Sequence, residues 1–260
     1  MRALLTALLV GGLVACATSP TGRRQLQLFP ADQMDEMGVT AFAEMKEQLP
    51  QTTDAAEQRY VECVADAITA ILPEQRDWEV RVFKDDSANA FALPGGKIGV
   101  HTGLLQVATT QSQLAAVIGH EIGHVLAQHS NERMSTTFAT NAGLQIVGAL
   151  AGADSQGKQL AMAALGLGAQ FGVLLPFSRT QESESDQIGL ELMAKAGFDP
   201  TEAVTLWENM MRSQGDGPPE FLSTHPSGPS RIEQLQRLMP DAMKLYQQAR
   251  AAGRKPECGP

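Results

Sequence analysis

Residues His120-Glu121-Ile122-Gly123-His124 set two imidazoles and a carboxylate at a spacing that can hold a divalent metal. They lie within 112–128, where Leu114, Val117, Ile118, Val125 and Leu126 recur at helical spacing. Four residues make just over one helical turn, so His120 and His124 project from one face and can bring two ring nitrogens to one ion at about 2.0–2.1 Å. Glu121, one step round, can reach a water at that ion, take its proton and pass it to a leaving amine. The bland reading is a chance His-Glu-x-x-His in an ordinary amphipathic helix, rare in a chain with 5 His.

A catalytic zinc takes a third protein ligand and keeps one position open. An all-histidine set is not available by the usual extension of this motif, because Ala127 and Ser130 stand where a glycine and a third histidine would fall. His129 is nine residues beyond His120, about 900° round a continuous helix, and reads as a helix-terminal residue on the opposite face. The third ligand is then a distant carboxylate. Residues 178–186 open a helix that runs to Ala196, and within it Glu182 and Asp186 share a face while Glu184 lies about 200° from Glu182. Glu182 as ligand, with Asp186 behind a zinc histidine, is one reading; a solvated acidic helix start is the other, and it suits Glu184.

Four blocks follow in order: His120-Glu-Ile-Gly-His124; Ser178-Arg-x-x-Glu182-x-Glu-x-Asp186-x-x-Gly189; Met193-Ala-x-x-Gly197-Phe-Asp-Pro200; and Ser223-Thr-His225-Pro226 with Arg231-Ile. Together they resemble the M48 family of zinc metallopeptidases, over about Asp32 to Met239, and most nearly its small periplasmic lipoprotein members. The resemblance implies one Zn2+ per chain on His120, His124 and Glu182, Glu121 as base and Asp186 as the paired aspartate. Ser185 departs from the family's usual Ala and is similarly small. The resemblance also implies an endopeptidase acting on misfolded or unassembled envelope proteins at the periplasmic face of the outer membrane, with the outer-membrane assembly machinery as a partner. The competing reading is a non-catalytic chaperone or assembly factor with a structural zinc; Glu121 argues against it, since a structural site needs no base.

These groups must be positioned by a small sheet and many helices, an α+β, predominantly α, zincin-like domain with the sheet beside the metal helix. Apolar spacing predicts helices over 32–49 and 54–72, alternation predicts a strand over 78–83, and 90–93 with 97–101 read as a strand pair around Gly95-Gly96. The segment Gly96-Lys97-Ile98-Gly99-Val100, at an exposed edge beside the zinc, is expected to bind an extended substrate as an added strand, with His101 structural. The Gly- and Ala-rich stretch 141–175 reads as two packed helices. His225 lies in a loop rich in Gly and Pro. A packing role is the plain reading. Alternatively its imidazole occupies the open zinc position as a switch, a reading the family resemblance strengthens, or stabilises the oxyanion.

Residues 1–15 combine Met1-Arg2, an apolar run too short for a comfortable membrane span, and Leu13-Val14-Ala15 before Cys16. This resembles a bacterial lipobox, which implies cleavage before Cys16, lipid on that residue and, with Ala17 next, outer-membrane residence. Residues 16–30 then read as a lipidated tether, 31–250 as the peptidase domain and 251–260 as a flexible tail. Of 3 Cys, lipidation leaves Cys63 and Cys258 to pair in an oxidising periplasm. At 43% hydrophobic and 19% charged the 260 residues suffice for a sizeable core, and a net charge of -9 excludes a basic field for nucleic acid.

Overall fold

The computed structural model describes residues 16–74, 76–150, 177–212, 220–225 and 229–259. An antiparallel hairpin of β1 (Cys16–Thr18) and β2 (Arg24–Leu26) precedes α1 (Ala31–Gln48) and α2 (Ala55–Thr69). Then come β3 (Glu79–Phe83), β4 (Ala90–Leu93) and β5 (Lys97–His101), followed by helices α3 (Thr102–Val107), α4 (Gln111–Leu126), α5 (His129–Leu150), α6 (Arg179–Ala196), α7 (Glu202–Arg212), α8 (Glu220–Thr224) and α9 (Pro229–Ala251). The fold is the expected α+β arrangement with helices dominant. The stretch 141–175 lies outside the described residues, apart from the backbone of α5 to Leu150. Among the described residues no helix is long and apolar enough to cross a membrane.

The sheet has the order β3-β5-β4, with β3 parallel and β4 antiparallel to β5. This corrects the expected substrate strand. Lys97, Ile98, Gly99 and Val100 belong to the central strand, hydrogen-bonded on both sides, and Gly96 sits in the turn at φ 73°, so 96–100 cannot accept a further strand. The edge strand beside the metal helix is β4. Pairing between β3 and β5 is non-local, and the unbroken burial of β5 is its signature: a strand covered on both faces shows no alternation.

Two terminal segments also depart from expectation. Residues 16–26 form a docked hairpin instead of a loose tether, turning at Gly22 (φ 89°) and held to α4 and α5 by Gln25 Nε2 donating to the Ala127 carbonyl and by the Leu28 N–H donating to Ser135 Oγ. The tail 251–260 packs on the domain. Its Cys258 is buried and disulfide-bonded to Cys63 of α2, and Gln111 bonds the Pro256 carbonyl and the Cys258 N–H.

The site is set by α4 against α6. Thr110 caps the first, its side chain accepting from the Gln113 N–H; Ser178 and Gln181 form a reciprocal capping box on the second, which Gly197 ends at φ 96°. The two helices meet at glycines. A Cβ on Gly189 would stand 2.6 Å from the His120 nitrogen, and one on Gly119 would stand 2.9 Å from the Gly189 oxygen. Only backbone against backbone permits this approach, and it delivers the first turn of α6 to the imidazoles of α4.

Candidate metal centre

His120 and His124 leave α4 side by side, their Nε2 atoms 3.0 Å apart. Glu182, on the first turn of α6, places Oε2 3.4 Å from His120 Nε2 and Oε1 3.4 Å from His124 Nε2. His225, just past α8, completes the group: Nδ1 lies 3.2 Å from His120 Nε2 and 3.1 Å from Glu182 Oε1. One donor atom from each of the four falls within 4.8 Å of the others. Separations of 3.0–3.4 Å, taken to the nearer Glu182 oxygen in each case, are close to the edge, about 3.3 Å, of a tetrahedron whose bonds are about 2.0–2.1 Å long. The donor chemistry, three imidazoles and a carboxylate, fits zinc.

The electrostatics agree. Burial favours the neutral, metal-binding form of His124 by pushing its pKa well down. Burial would raise Glu182, but hydrogen bonds with His120, His124 and His225 outweigh it and hold the carboxyl far below its ordinary range. Asp186 sits one turn further along α6, where Oδ1 accepts from His120 Nδ1 at 2.9 Å. Glu121 Oε2 accepts the Ala92 N–H of β4 at 3.2 Å, while Oε1 is buried without a hydrogen-bond partner. Burial pushes the Glu121 carboxyl up, which strengthens it as a proton acceptor.

Three residues behave differently from their sequence reading. Glu184 does lie away from Glu182 and outside the four-donor group, but it is 5% exposed, not solvated: Arg23 of the hairpin reaches it through Nε at 2.7 Å. His129 is fully buried beside His124, not on the far face, because Gln128 adopts φ 53° and breaks the helix, so that a new one begins at His129. Burial pushes His129 down to about 4. Arg231, quoted only as part of a motif, lies in the site, and spacing gave no reason to select it. Its guanidinium donates to Glu182 Oε2 at 3.1 Å and to Asp186 Oδ1, and stacks 3.6 Å over Trp207. His101 stays apart, bonded to Ser87 at the end of β5.

A cavity of about 340 Å³ lined by Met34, Met37, Met45, Phe91 and Phe177 opens along β4 and reaches Glu121 and His225. The His225 ring stacks on Phe221 (centroids 4.3 Å apart), and the His225 backbone N–H donates to the Phe221 carbonyl at 2.8 Å.

A small sheet whose edge strand touches the glutamate of a His-Glu-x-x-His helix, with a carboxylate donor from α6 packed against that helix, defines a zincin-type zinc metallopeptidase. Residues 51–239 match the model for peptidase family M48, and the chain belongs to that family. It is 43% identical, over 64% of its length and 48% of theirs, to the mitochondrial metalloendopeptidase OMA1 of Schizosaccharomyces pombe. The corresponding protein of Arabidopsis thaliana is 41% identical over 72% of this chain and 37% of its own length. The beta-barrel assembly-enhancing protease of Escherichia coli K12 is 34% identical over 58% of this chain and 32% of its own length. The chain thus spans about a third to a half of the length of these relatives.

Proposed function

We propose that the protein is a zinc-dependent endopeptidase, lipid-anchored through Cys16 at the periplasmic face of the outer membrane, that hydrolyses peptide bonds of misfolded or unassembled envelope proteins. The observation that carries the activity is the buried Glu121 Oε1, which makes no hydrogen bond, beside a compact set of four donors. The name of the bacterial relative supports a role near outer-membrane protein assembly, and the exposed free thiol of Cys16 supports the anchor.

His120, His124 and Glu182 would hold the metal, with Asp186 fixing the His120 tautomer and Arg231 bracing both carboxylates. Bound there, zinc would supply a Lewis acid for the scissile carbonyl and the attacking water. Glu121 accepts that water's proton at Oε1 and returns it to the leaving amide nitrogen. The outer edge of β4, whose Ala92 N–H is held by Glu121 Oε2, would align an extended chain by backbone hydrogen bonds once that contact is released, and the methionine-lined cavity would take an apolar side chain; pliable methionines tolerate many shapes, in keeping with unfolded substrates.

His225 holds the fourth corner in this arrangement, with its other nitrogen toward Glu121. It thereby fills the space between the metal donors and the base, and we read it as a switch that must swing out before water can enter. A closed four-donor set is also what a structural zinc in a chaperone would show. Casein cleavage decides between them. Cleavage abolished by a chelator, and lowered by about 10²–10⁴-fold in Glu121→Gln with zinc retained, supports the peptidase; no cleavage even by a His225→Ala protein overturns it. Release of Cys16→Ser from the membrane fraction tests the anchor.

A further inference from the structure

His120 and His124 differ in what holds the nitrogen that faces away from the metal donors. His120 Nδ1 meets the carboxylate of Asp186 directly. His124 Nδ1 meets a second imidazole, His129 Nδ1, at 2.9 Å. On its other side His129 Nε2 lies 3.2 Å from Glu184 Oε2. Glu184 in turn receives the Thr21 hydroxyl at 2.5 Å and Arg23 Nε at 2.7 Å. The remaining guanidinium nitrogens of Arg23 grip Glu132 of α5 at 2.5 and 2.7 Å.

Two ring nitrogens facing each other at 2.9 Å share a single proton. His124 presents Nε2 to the metal donors, so its proton is on Nδ1 and is donated to His129. His129 then accepts at Nδ1, with Ser185 Oγ at 3.4 Å as a weaker neighbour, and carries its own proton on Nε2, aimed at Glu184. Reversing either tautomer turns a donor against the cation or leaves Glu184 facing a lone pair.

We propose that His129 is the positioning residue for His124, a neutral imidazole that fixes the ring plane and tautomer of that ligand and is itself held by Glu184 and, through Arg23, by the β1–β2 hairpin. This rests on the reading of His124 as a metal ligand. The chain from Arg23 to His124 thus makes the hairpin a part of the metal site, although none of its residues touches the metal donors.

The test is zinc affinity, measured on the full chain by competition with a chelator of known affinity, together with the visible absorption of the cobalt-substituted protein. His129→Phe is expected to bind zinc about 10–100-fold more weakly and to shift the cobalt bands. His129→Gln, whose amide can accept at oxygen and donate at nitrogen, should recover most of both. Unchanged affinity and bands in His129→Phe would overturn the proposal. Should that variant fail to fold, nitrogen-15 NMR of the zinc-loaded wild type decides: protons on His124 Nδ1 and His129 Nε2 support it, and a proton on His129 Nδ1 sinks it. His124→Ala is the control on the underlying reading. If it keeps full zinc affinity, the ligand assignment fails; if it loses zinc while His129→Phe does not, only the positioning role fails.

Discussion

Glu121 Oε1 and His225 Nε2 face each other across 3.4 Å, while the other nitrogen of the same ring lies 3.1 Å from Glu182 Oε1. One imidazole therefore separates the base from the metal donors. Removing it in His225→Ala should raise basal casein cleavage about tenfold or more, the factor that corresponds to roughly 1.4 kcal/mol in favour of the closed arrangement. A lower kcat with zinc retained would instead assign His225 to the oxyanion.

The glycine contact between α4 and α6 sets the distance from Glu182 to its partners. Gly189→Ala inserts a methyl group 2.6 Å from the His120 nitrogen and 2.8 Å from the Gly119 carbonyl carbon, so the helices must part. A stability loss of about 1–3 kcal/mol is expected from the overpacking. Zinc affinity should fall with it, whereas Gly253→Ala, which meets nothing within 4 Å but has φ 83°, should cost stability alone. Melting curves and zinc stoichiometry on both variants check this.

The Cys63–Cys258 bond spans 195 residues. Loop closure of that length is worth about 5 kcal/mol in the chain-entropy model. Cys63→Ser with Cys258→Ser should lower the melting temperature by roughly 10–20 °C for a chain of this size. A shift of a degree or two would show that packing at Gln111 alone holds the tail.

Acid should loosen the hairpin. Burial tends to raise the pKa of Glu132, but hydrogen bonds from Arg23 and Gln181 outweigh it, and its folded pKa lies below the ordinary 4.5. A depressed carboxyl contributes stability that is fully present above the unfolded value and is lost as pH falls through the folded one. The difference in melting temperature between wild type and Glu132→Gln should therefore be constant at neutral pH and shrink below about pH 4.5. A difference that grows in acid would reverse the sign of the argument.

Local features were legible in the sequence, and features made by distant pairing, the Cys63–Cys258 bond apart, were not. His120, Glu121 and His124 share one helix, and Glu182 with Asp186 another, so a 3.6-residue period suffices to place them on common faces. The rank of β5 within the sheet depends on β3, which pairs with it directly although β4 comes between them in sequence. The hint was there in Lys97-Ile98-Gly99-Val100-His101, which lacks alternation, but Lys97 disguised it; its side chain is buried while its amine bonds the Asp77 carbonyl. His129 was misplaced because Gln128 takes a left-handed conformation that nothing in its side chain requires. The hairpin had a turn signal in Ser19-Pro20-Thr21-Gly22, but the partner that orders it, Glu184, is 161 residues from Arg23.

The hairpin also determines how the fold answers a mechanical load. Cys16 pairs with Leu26 at the open end of β1 and β2, opposite the turn at 19–23. Tension applied at Cys16 would peel these rungs one at a time, not shear them together, so little force is needed to reach Arg23. The grip of Arg23 on Glu132 and Glu184 is where that peeling would meet resistance. A pull on Cys16 would in this way be felt two helices away, at the carboxylate beside His129.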